Sequence, residues 1–95
     1  MAPVARRYSI EWDRRAETEM DESRAYDARP ILVAVNQLQN DAEVETRNRK
    51  PLRAPLTGLP EASWEVRVGD HRVLYQVRDR RIVRVLRVIL KGRFR

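Results

Sequence analysis

The sequence predicts a single α+β domain in which two N-terminal helices pack on one face of a small, mostly antiparallel four-stranded sheet, in the order β-α-α-β-β-β. Two patterns carry this prediction. Apolar residues recur at helical spacing between residues 13 and 40, and they alternate with polar residues from Trp64 to Leu90. A length of 95 residues suits one core, and no repeat or linker divides residues 1–95.

The first strand and the first helix are predicted from residues 8–20. Apolar and polar residues alternate over Tyr8–Trp12, as they do in a half-buried strand. Asp13 follows directly and is a good N-cap, because its side chain can accept a hydrogen bond from the first helical turn. Ala16 and Met20 then form the apolar stripe of a helix.

The second helix is predicted to begin at Asp27, a further N-cap candidate that places Pro30 in the first turn. Its apolar residues recur at helical spacing up to Asn40: Ile31, Leu32, Val35 and Leu38. The run 31–35 alone also fits a buried strand, but the spacing out to Leu38 favours a helix.

Residues 41–62 are predicted to be mostly irregular, because they contain a glycine and several prolines: Pro51, Pro55, Gly58 and Pro60. Loops of this length in small domains often serve a function. The segment contains four basic residues, which makes it a candidate for such a function: Arg47, Arg49, Lys50 and Arg53.

The clearest strands are Trp64–Val68 and a second one at residues 71–77, which flank Gly69-Asp70. A two-residue loop with glycine first is typical of a type II′ hairpin. It would place Arg67 opposite Arg72 and Trp64 opposite Tyr75. A last strand over residues 82–90 follows a predicted two-residue turn at Asp79-Arg80.

With two-residue loops at both turns, one face of the sheet becomes an apolar core, interrupted by Arg84. Its predicted members are Trp64, Val66, Val68, His71, Val73, Tyr75, Val77, Ile82, Leu86, Val88 and Leu90. The same register would place Arg72 opposite Arg87 on the other face.

Arg67, Arg72 and Arg87 would then form a row across three neighbouring strands. Like charges directly opposite each other destabilise a sheet, so this placement favours a bound anion between the guanidinium groups. The alternative is that the three arginines extend separately into solvent.

Other polar and aromatic side chains of the predicted sheet have two interpretations each. Glu65 either neutralises Arg67 or acts as a general base. His71 falls on the core face near a turn, which favours a packing role over a catalytic one. Trp64 and Tyr75 are expected to pack on each other rather than to stack on bases.

Charge is divided unequally along the chain. Residues 1–46 hold 6 arginines against 10 acidic residues, a net charge of −4, and residues 47–95 hold 14 basic against 4 acidic residues, a net charge of +10. This asymmetry favours a polyanionic partner, although a merely solvated basic surface would produce it too. We expect no metal site of cysteine thiolates and no disulfide, because the chain has no cysteine. The longest apolar run is far too short to span a membrane, so we expect a cytoplasmic protein.

The segment from Trp64 to Val77, followed by residues 82–91, resembles the C-terminal half of the RelE/ParE toxins of bacterial type II toxin–antitoxin systems. Those toxins share an aromatic-x-hydrophobic-Arg/Lys strand, a glycine turn and an Arg-hydrophobic-hydrophobic-Tyr strand. The upstream residues 48–52 and 56–59 resemble the approach of the family to its sheet, K-P-L followed by L-x-G. The order of elements extends the resemblance over nearly the whole chain.

This resemblance implies a cognate antitoxin as partner and one of two activities. RelE-type members are ribosome-dependent endoribonucleases that cleave mRNA, whereas ParE-type members inhibit DNA gyrase and lack the nuclease residues. By position, Arg67 and Arg72 match basic residues around the scissile phosphate, and Lys91 and Arg93 match a basic cluster after the last strand. The resemblance implies no cofactor and no metal.

Two departures separate the sequence from the nuclease pattern. Glu65 stands where some nucleases have a lysine, and the sequence has no segment matching the one that often carries a catalytic tyrosine or histidine. We therefore predict an mRNA interferase that relies on electrostatic stabilisation, with Glu65 as its only candidate base. The resemblance then implies that RNA phosphates are bound by five further basic residues: Arg47, Arg49, Lys50, Arg53 and Arg87. The alternatives are a gyrase inhibitor and a member of the family that has lost toxicity.

Overall fold

The computed structural model describes residues 7–90, which form five strands and two helices. In chain order the elements are β1 (Ser9–Trp12), α1 (Arg14–Asp21), α2 (Ala25–Asp41), β2 (Arg49–Pro51), β3 (Trp64–Val68), β4 (His71–Arg78) and β5 (Ile82–Leu90). The strands form one sheet in the order β1-β5-β4-β3-β2. Strand β1 runs parallel to β5, and all other neighbours are antiparallel. The predicted α+β architecture is confirmed, with one additional strand.

Helix α1 begins as predicted, because the Asp13 side chain accepts a hydrogen bond of 3.0 Å from the backbone N–H of Arg15. The predicted start of α2 is wrong. The helix begins before Asp27, and its first carbonyl acceptor is that of Arg24, which receives the N–H groups of Asp27 and Ala28. Asp27 instead lies in the first turn, where its negative charge interacts favourably with the helix dipole. Pro30 lies inside the helix rather than in its first turn.

The main core lies between the two helices and one face of the sheet. Its buried residues are Ala16, Ile31, Val35, Leu38, Ala42, Val66, Val73, Tyr75, Val83, Val85 and Val88. Tyr75 is fully buried and stacks on Trp64, with ring centroids 6.2 Å apart. Its hydroxyl donates a hydrogen bond of 2.6 Å to the Ala42 carbonyl just after α2, and burial raises the pKa of Tyr75 well above its usual value. The predicted packing of the two rings on each other is confirmed.

The segment predicted to be irregular contains the fifth strand and covers the second face of the sheet. Residues 49–51 pair with β3, and residues 52–62 fold back over the sheet. A turn with Gly58 at a φ of 81° lets the Leu59 N–H donate to the Leu56 carbonyl. A second core results, formed by Leu59, Ala62, Leu74, Leu86 and Ile89, with Leu52 and Leu56 packed against it.

The predicted pairing of β4 with β5 is wrong. The connecting loop has three residues rather than two, because Arg78 pairs with Ile82 and both Arg80 and Arg81 adopt positive φ values. A slip of one residue moves every side chain to the other face of a sheet. Val83 and Val85 therefore belong to the main core, in place of the predicted Ile82 and Leu86.

A bulge at Leu74/Tyr75 then restores the predicted alternation in the second half of β5. Beyond it, Val88 lies in the main core as predicted, and Arg72 is opposite Ile89 rather than Arg87. Arg84, predicted to interrupt the core, instead forms ion pairs with Glu11 and Asp13.

Neither helix in residues 7–90 is long and apolar enough to cross a membrane.

The second core generates a stability prediction. Leu74→Ala should lower the free energy of unfolding by about 2–4 kcal/mol, because Leu74 is fully buried under residues 52–62. The matched substitution Leu32→Ala removes a leucine side chain that is 44% exposed and should cost less than about 1 kcal/mol. Urea unfolding followed by circular dichroism measures both. Equal effects would contradict the burial of the second face.

Candidate nucleic-acid interface

The hairpin of β3 and β4 brings two arginines together on the face opposite the helices. Gly69 has a φ of 58°, whereas Asp70 has no positive φ, as a type II′ turn requires. The pairing that follows places Arg67 directly opposite Arg72, as predicted. Arg67 is exposed, and the Arg72 side chain is 36% exposed. Both guanidinium groups are therefore accessible to a ligand on this face.

Lys50 joins this pair from β2. It lies directly opposite Glu65 on β3, and Glu65 shares its face with Arg67 two residues further along. Lys50, Arg67 and Arg72 are hereafter called the basic cluster. Three cations against one carboxylate give the group a net charge of +2, an arrangement suited to binding phosphate oxygens.

Glu65 lies beneath the basic cluster with a side chain that is only 1% exposed. Its Oε2 atom is 2.9 Å from Arg72 Nη2, and its Oε1 atom is 3.5 Å from Lys50 Nζ. Neither carboxylate oxygen receives a well-directed hydrogen bond from the described residues. The prediction that Glu65 neutralises Arg67 is therefore wrong, because the carboxylate pairs with Arg72 and Lys50.

Arg49 has a structural position on the other face of β2. It is 5% exposed, and its Nη1 atom donates hydrogen bonds of 2.7 and 3.2 Å to the carbonyls of Asp41 and Val44. The same atom is 2.9 Å from the Asp41 carboxylate. Arg49 therefore holds the C-terminal end of α2 against β2, and it could reach a phosphate only if these contacts broke.

The other predicted phosphate ligands lie in two different places. Arg47 is exposed in the turn before β2, next to the basic cluster, because the Arg67 N–H donates to the carbonyl of Asn48 in that turn. Arg53 is exposed in the segment that covers the second face. No contact of the described residues brings Arg53 to the basic cluster.

Arg87 does not join the basic cluster. It is opposite Leu74, and its guanidinium group forms a bidentate pair with Glu19 of α1, at 2.7–3.1 Å. The predicted row of three arginines is therefore wrong. The cause is the three-residue loop and the bulge, which shift β5 relative to β4.

The structure separates the remaining candidates from the basic cluster. His71 is half-buried and lines a cavity near the start of α2, together with Glu22, Asp27 and Arg87. Lys91 and Arg93 lie outside the described residues. Within residues 7–90, no three His, Asp or Glu side chains are grouped so that they could hold a metal ion.

The position of Lys50 in the basic cluster is not predicted from the sequence. The prediction that residues 41–62 are irregular gives Lys50 no strand partner, whereas the structure pairs it with Glu65. The available signal was the short run Arg49–Pro51, where a strand can end at a proline on a sheet edge.

The family of the chain follows from its match to a family model. The model describes the ParE toxin of the type II toxin–antitoxin system parDE, and it matches residues 10–93. The chain belongs to the ParE toxin family. No curated protein sequence matches the toxin.

Solved structures of related toxins have the same fold. The toxin is similar to the archaeal RelE-RelB complex from Pyrococcus horikoshii OT3, with a TM-score of 0.72 and 19% identity over 93% of this chain and 99% of that one. The YoeB/ParE toxin from Agrobacterium tumefaciens has a TM-score of 0.68 and 14% identity, over 86% and 96% of the two chains. The toxin–antitoxin complex RelBE2 from Mycobacterium tuberculosis has a TM-score of 0.62 and 26% identity, over 88% and 98%. The match to the family model confirms the predicted family, and these structures confirm its fold.

The different positions of Arg49 and Arg47 can be tested with one pair of variants. Arg49→Ala should lower the free energy of unfolding by about 1–3 kcal/mol, because it removes a buried side chain, its two hydrogen bonds to the carbonyls of Asp41 and Val44, and its ion pair with Asp41. Arg47→Ala removes an exposed guanidinium nearby and should change stability by less than about 0.5 kcal/mol. Chemical denaturation measures both. A stable Arg49→Ala variant would show that this arginine does not hold the end of α2.

Proposed function

We propose that this toxin is a ribosome-dependent mRNA endoribonuclease whose basic cluster binds the scissile phosphate. The observation that supports the proposal is the direct opposition of Arg67 and Arg72, with Lys50 on the same face. A sheet gains nothing from placing two cations opposite each other, so an anion that bridges them would offset the repulsion. RNA phosphate is the anion that the resemblance to RelE-type members implies.

The reaction would be a transesterification within the RNA. The 2′-oxygen of one nucleotide bonds to the adjacent phosphorus while the bond from phosphorus to the 5′-oxygen of the next nucleotide breaks. The products are a 2′,3′-cyclic phosphate and a 5′-hydroxyl end. Negative charge develops on the phosphoryl oxygens in the transition state, and Arg67 and Arg72 would stabilise that charge.

The basic cluster contributes least to the proton transfers of this reaction. The 2′-hydroxyl must lose a proton and the departing 5′-oxygen must gain one, with water as the ultimate acceptor and donor. Among the described residues, Glu65 is the only carboxylate paired with the basic cluster. Because its side chain is 1% exposed beneath Arg72 and Lys50, a bound RNA hydroxyl could not reach it without displacing those cations. The proposed mechanism therefore depends mainly on charge stabilisation.

Cleavage provides the first test. Arg72→Ala should lower the cleavage rate by about 10²–10³-fold, the range typical of losing one preorganised donor to a developing oxyanion. Arg78→Ala is the matched control, because Arg78 lies on the same strand but its exposed guanidinium pairs with Glu11. Primer extension on mRNA from translating ribosomes measures both. Undiminished cleavage by Arg72→Ala would remove this residue from the mechanism.

A second candidate function is inhibition of DNA gyrase without nuclease activity. The burial of Glu65 favours it, because the described residues of the basic cluster then present no accessible proton acceptor. The basic cluster would in that case serve as a binding surface. Gyrase-dependent DNA breaks after induction, without mRNA cleavage, would establish this second function in place of the first.

Neutralisation by an antitoxin is the remaining part of the proposed function. RelE-type toxins of the same fold have been solved in complex with RelB antitoxins. We propose that the cognate antitoxin carries an acidic segment that covers the basic cluster, since disordered acidic segments can fold on such surfaces.

The antitoxin proposal has its own prediction. Arg67→Glu should weaken antitoxin binding at least about tenfold at low salt, because like charges in an interface cost several kcal/mol. Arg14→Glu makes the same charge change at an exposed position of α1 and should leave binding nearly unchanged. Calorimetry at two salt concentrations measures both. A larger loss with Arg14→Glu would place the antitoxin on the helical face instead.

A further inference from the structure

Glu65 is a buried carboxylate at a basic surface. Its carboxylate is almost completely buried, yet both of its cationic neighbours remain partly exposed, with 36% of the Arg72 side chain and 54% of the Lys50 side chain accessible. Taking an ionised carboxylate out of water is costly unless cations compensate it. The buried carboxylate therefore holds Arg72 and Lys50 close to the sheet.

The contacts within this group are electrostatic rather than directional. Arg72 Nη2 is 2.9 Å from one oxygen and Lys50 Nζ is 3.5 Å from the other, but neither contact is a well-directed hydrogen bond. Long basic side chains held by charge alone can turn outward toward a ligand. Glu65 cannot follow them, because its side chain is enclosed by the sheet and its neighbours.

We infer that Glu65 is a built-in counter-ion that competes with phosphate for Arg72 and Lys50, and so limits the anion affinity of the basic cluster. The inference rests on the proposed binding of phosphate by that cluster. A phosphate that draws either cation outward leaves the buried carboxylate less compensated, and this cost is subtracted from the binding free energy. Arg67 has no such partner among the described residues and would bind phosphate without this cost.

Glu65→Gln tests the inference, because glutamine keeps the shape and one acceptor oxygen but removes the charge. At low salt the variant should bind a short oligouridylate about tenfold more tightly than wild type. The slope of log affinity against log salt concentration should steepen by about 0.7, the contribution of one additional neutralised phosphate on a single strand. Fluorescence anisotropy without ribosomes measures both quantities.

Two further variants separate competition by charge from a merely structural role. Glu61→Gln removes an exposed carboxylate a few residues earlier in the chain and should change the slope far less. Glu65→Asp shortens the side chain but keeps the charge, so it should retain the wild-type slope. If Glu65→Asp steepened the slope as much as Glu65→Gln, packing rather than charge would be responsible and the inference would be wrong.

A thermodynamic cycle provides a second measurement. Lys50→Ala should weaken oligouridylate binding more in the Glu65→Gln background than in wild type, because Glu65 no longer holds the lysine back. Inorganic phosphate should also raise the melting temperature of Glu65→Gln more than that of wild type. Equal effects in both backgrounds would overturn the inference.

Failure of the counter-ion inference can be distinguished from failure of the proposed nuclease function. If Glu65→Gln binds RNA more tightly but neither protein cleaves mRNA on ribosomes, the nuclease proposal fails and the counter-ion inference stands. If wild type cleaves mRNA but Glu65→Gln has unchanged affinity and slope, the inference fails and the nuclease proposal stands.

Discussion

The antiparallel pairing of β3 with β4 fixes what each face of this protein can do. On the helical face it stacks Trp64 on Tyr75, whose hydroxyl reaches the carbonyl of Ala42 after α2 and so joins the sheet to the helices. On the opposite face the same register sets Arg67 against Arg72. If β4 were shifted along β3, Trp64 would no longer be opposite Tyr75, and Arg67 would no longer be opposite Arg72. The core and the candidate site are therefore consequences of one set of backbone hydrogen bonds.

Arginines of β5 are neutralised by ion pairs within the fold, so the positive charge that remains accessible is concentrated elsewhere on the sheet. Acidic residues of the N-terminal half reach arginines of β5: Glu11 and Asp13 pair with Arg84, and Glu19 pairs with Arg87. These contacts hold β1 and α1 against β5. The basic cluster lies on the other half of the sheet, where Glu65 is the one carboxylate among the described residues that forms ion pairs with it. The unequal charge along the sequence thus becomes an unequal charge within one sheet, between the neutralised arginines of β5 and the basic cluster on β2, β3 and β4.

The position of β5 shows where sequence patterns do not suffice. Its run Ile-Val-Arg-Val-Leu-Arg-Val-Ile-Leu has apolar residues at odd and at even positions, so its alternation fits more than one register. The register depends on a three-residue loop in which Arg80 and Arg81 adopt positive φ values, and on a bulge. Arginine has no intrinsic preference for that conformation, so no local signal predicts it. For this reason the sequence pattern predicts that Arg87 is opposite Arg72, whereas the structure places it opposite Leu74.

The sequence by itself determined the elements whose signals are local. Asp13 starts α1 because its own side chain satisfies the first helical turn, and Gly69 specifies the hairpin because it tolerates a positive φ at no steric cost. The toxin family also follows from sequence, since the motif from Trp64 to Val77 lies within the residues that match the family model. Tertiary structure alone decided that Arg49 is buried against α2 and that Glu65 lies beneath Lys50 and Arg72. Burial and ion pairing depend on chain segments that meet only after folding, so the same residue types could equally have been solvated.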